Sequence, residues 1–127
     1  MIRNGDYCLY KDMEYEFIED MDGNLLIISE DSLLLNEGFI DKRGGGVYSK
    51  IVNHSELSNC YQISSRGKIK GELVNVSRQD GDKYFVGTSN STVAQKLGLE
   101  RTDKYYYDKW VPKSEVEIFE ERKEINL

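Results

Sequence analysis

Along most of the chain, apolar and polar residues alternate in short runs bounded by Gly, Asn and Asp, the pattern of half-buried antiparallel strands. After the turn signal Asn4-Gly5-Asp6, Tyr7 and Leu9 alternate with Cys8 and Tyr10, and Lys11-Asp12-Met13 reverses the chain. Glu14 to Glu19 then sets Tyr15 and Phe17 on one face and Glu14 and Glu16 on the other, so this strand carries carboxylates in a row. Asp22-Gly23 predicts a hairpin turn, and Leu25 to Ser29 a central strand too apolar to have a wet face. The period changes after it. Residues 30–39 predict a helix of about two turns, capped by Asp31 or Ser32 and ended by Gly38 at a left-handed position. Leu33, Leu34 and Leu35 are expected in the core, with Phe39 folded back on Leu34.

The stretch that follows, Tyr48-Ser49-Lys50-Ile51-Val52-Asn53-His54-Ser55-Glu56-Leu57, recurs as Tyr107-Asp108-Lys109-Trp110-Val111-Pro112-Lys113-Ser114-Glu115-Val116. Each copy is preceded by a Gly and a large apolar residue, a capped helical segment, an apolar strand and an Asp-Gly turn, in the same order and 58 to 60 positions apart. This predicts a tandem duplication, with pseudo-repeats 1–64 and 65–127 joined by the short polar Ser65-Arg66-Gly67-Lys68 and sharing one core within a single domain, 1–127. The fold class expected is α+β, mainly antiparallel β with short Gly-capped helices. Tyr48, Lys50 and Val52 share one strand face, as do Tyr107, Lys109 and Val111. The lysine stem is expected to lie over its apolar neighbours with the ammonium in water. Ser55 and Ser114 are expected to cap a following turn, and Ser114 with Glu117 predicts a helix of up to two turns from Glu115. The motif reads as structural, because duplication repeats packing devices more readily than active sites.

Composition adds little until it is divided. The 127 residues are 39% hydrophobic and 31% charged, ordinary for a globular domain, with a net charge of -6. Residues 1–64 hold 12 Asp/Glu against 5 Lys/Arg, whereas residues 65–127 hold 11 against 12. A field of that sign disfavours nucleic acid and anionic lipid and favours a basic partner. The chain shows no signal or spanning segment, so a cytoplasmic location is expected, and Cys8 and Cys60 are read as buried free thiols.

Candidate chemistry is sparse. His54, the single histidine, sits at an exposed strand-to-turn corner beside no nucleophile motif. Asp20, Asp22 and Asn24 resemble the start of a calcium loop but lack its Gly and distal Glu at the required spacing. Gly44-Gly45-Gly46 leads into a strand rather than a helix, the setting of a mobile loop and not of a phosphate cradle. Tyr105, Tyr106, Tyr107 and Trp110 with Lys104 and Lys109 form an aromatic and basic mixture without the wider basic field that binding of single-stranded nucleic acid needs. No catalytic residue, metal ligand or cofactor is assigned.

Taken together, the Tyr-rich start (Asn4-Gly5-Asp6-Tyr7), the Gly-capped helix and the Tyr-x-Lys-x-Val-x-x-Ser-Glu-Val ending resemble the immunity proteins that Gram-positive bacteria encode beside polymorphic toxins. The resemblance implies a cytoplasmic, non-enzymatic protein that occludes a toxin domain stoichiometrically; it carries over no functional residue. The acidic surface supplies the candidate interface: Asp12, Glu14, Glu16, Glu19, Asp20 and Asp22, with Glu30, Asp31 and Glu37 near it. The partner expected is a basic toxin domain, with nucleases among the candidates. A regulatory or adaptor module, such as a phage anti-defence protein, is the alternative.

Overall fold

The computed structural model describes residues 2–126. The chain forms two compact units. The first comprises Gly5–Gln62 together with the C-terminal residues from Lys123; the second comprises Ile63–Arg122 together with the N-terminal residues up to Asn4. Counted by unit, the charge is more polarised than by halves: 13 carboxylates against 5 cations in the first and 10 against 12 in the second, or -8 and +2.

In the first unit β1 (Gly5–Tyr10), β2 (Met13–Glu19), β3 (Leu25–Ser29) and β4 (Tyr48–Val52) form an antiparallel meander, and the start of β5 (Leu57–Ile69) lies beside β1. Alternation decides the faces as expected: Cys8, Tyr10, Phe17, Leu25, Ile27 and Val52 are buried in one core. Between β3 and β4 lies a single 3-10 segment, Ser32–Glu37, with Asp31 Oδ1 accepting the Leu33 N–H and Gly38 at φ 88°. The three-residue period of that segment turns only Leu34 inward, beside Phe39. Leu33 stays 74% exposed and Leu35 47% exposed, which corrects the expectation that all three leucines are core.

The second unit is built from the rest of β5, β6 (Glu72–Asp80), β7 (Lys83–Thr88), α1 (Ser91–Leu97), β8 (Glu100–Asp103) and β9 (Tyr106–Pro112). Val74, Val76, Val86, Val111 and Ile69 form its core, with Val93, Leu97 and Leu99 packed against it. Asn90 Oδ1 accepts the N–H groups of Thr92 and Val93, and Gly98 ends the helix at φ 69°. The N-terminal residues are tied in here: Ser65 Oγ accepts the Arg3 N–H at 3.0 Å and donates to the Arg3 carbonyl at 2.8 Å, while the Arg3 guanidinium pairs with Glu120 at 3.0 Å.

Strand register repeats between the units. Leu25 faces Val52 and Ser29 faces Tyr48; 59 residues further on, Tyr84 faces Val111 and Thr88 faces Tyr107. Tyr7 opposite Glu16 and Tyr10 opposite Met13 have counterparts, again 59 residues on, in Arg66 opposite Asn75 and Ile69 opposite Glu72. The β2–β3 and β6–β7 registers agree likewise at Phe17–Ile27 and Val76–Val86, and part company where β6 carries a bulge between Val76 and Arg78.

Four further expectations change. Ser65 to Lys68 form no linker but lie within β5, where Ser65 and Gly67 are buried. The turns after β4 and β9 start at Asn53 and Pro112, not at the serines: the Asn53 N–H is satisfied by Glu56 Oε1 at 3.0 Å. Residues 117–124 are a strand, β10, paired with β5, rather than a helix; Ile118 and Phe119 are neighbours that a strand sends to opposite faces. Finally, Cys8 and Cys60 are joined in a disulfide, because β1 and β5 are adjacent and bring the two Cα atoms to 4.1 Å. Their separation of 52 residues hid a contact that only strand order creates.

Candidate functional site

The two sheet faces of the first unit differ in chemistry. On the core side, Lys50 reaches from β4 to donate to the Tyr10 hydroxyl on β1 at 2.9 Å and to the Glu37 carbonyl at 3.1 Å, with its ammonium 5.2 Å from the Tyr10 ring centre. It is therefore a tie between strand and 3-10 segment, not an ammonium left in water. The hydrogen bond to Tyr10 raises the Lys50 pKa above 10.5. Tyr15 is also raised above its ordinary 10.0, first by burial and then by the nearby Glu37 and Asp31 carboxylates. Both groups bind protons more tightly folded than unfolded, so the stability they contribute is fully present below about pH 10 and is lost as pH rises through their folded values. Lys109, the counterpart of Lys50, is exposed, and the position matching Tyr10 is Ile69, which has no hydroxyl. Lys50→Met is expected to cost about 1–2 kcal/mol and Lys109→Met less than about 0.5, compared by urea midpoints at pH 7.

On the outer face, Glu14 and Glu16 project from β2. Glu14 accepts a hydrogen bond from the Tyr61 hydroxyl. Glu16 stands between Tyr7 on β1 and Ile28 on β3. The face then turns apolar. Ile18, Leu26, Ile28, Met21 and Val47 line a groove of about 570 Å³, bordered by Glu19 and Asp20 on one side and by Lys42, Arg43 and Gly45 on the other. It continues into a hollow of about 360 Å³ between Leu26, Ile40 and Ile51. Ile18 is 44% exposed and Ile51 62% exposed. The apolar run of β3 is thus wet on one face, contrary to expectation. The signal was present in the sequence: Ile18, Leu26, Ile28 and Ile51 all occupy positions that alternation assigns to the solvent side.

The nine candidate carboxylates do not share one surface. Glu14 and Glu16 belong to the outer face, with Glu19 at its groove. Asp12 lies in the β1–β2 turn at φ 64° and Asp22 in the β2–β3 turn, at opposite ends of β2. Asp20 is committed to its own turn, where its carboxylate accepts the N–H groups of Asp22 and Asn24 at 3.0 and 2.8 Å and the Asn24 amide at 3.2 Å. These bonds, above all the one from the Asn24 backbone, hold its pKa below the usual 3.8. Its oxygens are hydrogen-bonded within that loop, with the Lys42 charge adding a smaller lowering. Asp31 and Glu37 flank Tyr15 at the two ends of the 3-10 segment, with Glu30 just before it.

The equivalent face of the second unit is closed by its own side chains. Phe85 and Trp110, which stand where Leu26 and Ile51 do, pack with ring centres 5.0 Å apart. The Arg78 guanidinium lies over both, 4.4 Å from the Phe85 centre and 5.5 Å from the Trp110 centre. Tyr106 covers Gly87 so closely that a Cβ there would meet its ring at 2.5–2.7 Å. Tyr106 and Trp110, two of the aromatic residues in the mixed aromatic and basic stretch, are occupied in this packing, whereas Tyr105 stands exposed under Lys104.

Comparison with known proteins matches residues 2–127 to the family described as uncharacterised conserved protein UCP033725. The chain belongs to that family. No curated protein and no solved structure matches it. Family membership spans both units and names no chemistry, so the outer face of the first unit rests on its geometry alone. Among the described residues no cluster of three or more His, Cys, Asp and Glu is arranged to hold a metal ion, and no helix is long and apolar enough to cross a membrane.

Proposed function

We propose that this protein is a non-catalytic, stoichiometric inhibitor of the immunity type, which binds a basic protein domain through the outer sheet face of its first unit. The observation that carries the reading is one surface on which Glu14 and Glu16, with Glu19 at the edge of its groove, stand beside exposed Ile18 and half-buried Leu26 and Ile28, in a unit of net charge -8. Protein interfaces combine an apolar centre, which supplies affinity, with a charged rim, which supplies on-rate and orientation. A partner with a basic active-site rim, as toxins that cleave nucleic acids have, complements such a face. Asp31 and Glu37 belong to the other side of the sheet and lie outside the interface proposed. The two units are proposed to descend from one module of about 60 residues. The shared registers 59 positions apart and the paired Gly38 and Gly98 helix ends support this. On this reading one copy kept its outer face open while the other closed it with Arg78, Trp110 and Tyr106.

The test is co-expression with the product of the neighbouring gene. The expected result is relief of its toxicity by the wild-type chain and a 1:1 complex on gel filtration. Glu14→Lys with Glu16→Lys should slow association at least about tenfold at low salt and much less at high salt. Tyr61→Phe, which removes the hydroxyl that donates to Glu14 and keeps both carboxylates, serves as the control for folding. A neighbouring product that is harmless, or that binds the double variant equally fast, defeats the proposal.

A further inference from the structure

The groove on the first unit carries two cations that the acidic interface does not use: Lys42 and Arg43 stand on the border of its aliphatic floor. Among the described residues neither cation has a carboxylate within ion-pair distance. They sit on the loop Asp41–Gly46, where Gly44 and Gly46 take φ of 69° and 81° and a Cβ at any of the three glycines would meet nothing within 4 Å. Apart from the Gly46 N–H donated to Asp41 Oδ2 at 3.2 Å, little fixes this segment. Its counterpart in the second unit is β8, paired with β9 from Glu100 to Asp103 and held by the Arg101 guanidinium on the carbonyls of Asp103 and Lys104. In the first unit only the bridge between Ile40 and Ser49 forms, and the chain then leaves the sheet edge to border the groove.

The second unit also displays what such a face holds when filled: two apolar rings with a polar head group, Arg78, laid over them. In the first unit the rings are replaced by Leu26 and Ile51 and the filling is missing. The charges bordering this space are the cations Lys42 and Arg43 and the carboxylates Glu19 and Asp20; Asp20 feels the Lys42 charge but has its oxygens hydrogen-bonded within the β2–β3 turn.

We infer that this groove is a binding site for a single-chain amphiphilic anion, whose hydrocarbon tail lies along Ile18, Leu26, Ile28 and Val47 while Lys42 and Arg43 take the carboxylate. A volume of about 570 Å³ falls in the range of small-molecule pockets, and a mostly apolar lining with a few converging polar groups is their usual composition. Arg43 supplies a planar fork for a carboxylate and Lys42 a mobile point charge. The glycine loop lets both follow the head group inward. A tail of this kind removes from water the aliphatic surface that Trp110, Tyr106 and Arg78 cover in the second unit. The occupant is a free amphiphile rather than a bilayer, because the floor is concave and walled on both sides by the 19–21 turn and the 42–47 loop. The inference does not depend on the inhibitor reading.

The test uses dansylundecanoate fluorescence, with displacement by dodecanoate below its micellar concentration. Saturable binding of one equivalent at micromolar concentration is expected. Ile28→Trp, which fills the groove as the second unit is filled, should weaken binding more than tenfold. Lys42→Glu with Arg43→Glu should weaken dodecanoate about tenfold while leaving dodecanol unchanged, a split that survives even if Ile28→Trp fails to fold. Equal affinity in the charge-reversed chain, absence of saturable binding, or binding only to dioleoyl phosphatidylglycerol vesicles would each overturn the site.

Discussion

Reduction of the Cys8–Cys60 bridge is expected to lower the unfolding free energy of the first unit by about 3–4 kcal/mol, the largest effect available without altering the core. The bridge closes a loop of 52 residues, so nearly the whole first unit lies inside it and its unfolded chain is correspondingly constrained. Both sulfurs are buried, Cys8 completely, so the bridge also fills core space beside Tyr10 and Phe17. Urea titrations with and without dithiothreitol measure the difference, and hydrogen exchange assigns it to residues 5–62. An unchanged midpoint, or two thiols titrating with Ellman's reagent in denaturant before any reductant is added, would show the cysteines free in solution. The outcome bears on location. A buried structural disulfide belongs to an oxidising setting, whereas a cytoplasmic chain would have to fold without this contribution. The cytoplasmic expectation rested on the lack of a signal or spanning segment, and the bridge is an observation that weighs against it.

The sequence disclosed its local devices more fully than its neighbours. The strand alternation of β2, the Gly38 and Gly98 helix ends and the Asp-Gly turns were legible because each is encoded within a few residues. After the second copy of the repeated motif, Ser114 and Glu117 imitate a capping box that β10 overrides by pairing with β5. Contacts set by strand order escaped: the disulfide, the Lys50–Tyr10 tie, and the docking of the N-terminal residues against Ser65. The candidate site was legible by half. Counting carboxylates found the charge of the first unit but could not sort Glu16 from Asp31, because a sheet has two sides and a turn between them carries acids to both. The groove could be found only by asking which apolar residues point outward, and that question needs the register of β2, β3 and β4 at once.

Ile27→Ala is expected to destabilise the first unit by about 3–4 kcal/mol, a large share of the 5–15 kcal/mol typical of a whole domain. Ile27 has no exposed surface and sits on the central strand between Phe17 and Lys50, under Leu34 and Phe39. Truncation leaves a cavity among rings and branched chains that strand pairing on both sides keeps from collapsing. The next residue on the outer face provides the contrast. Ile28→Ala removes the same atoms from the groove floor, where one side is already open, and should cost no more than about 1 kcal/mol. At the matching core position of the second unit, Val86→Ala is expected to cost about 2 kcal/mol, since fewer atoms are lost from an equally buried site. Chemical denaturation measures all three, and equal costs at 27 and 28 would mean that the outer face is covered in solution. A cover of that kind, contributed by the chain itself, would remove the free surface on which both the protein interface and the amphiphile groove depend.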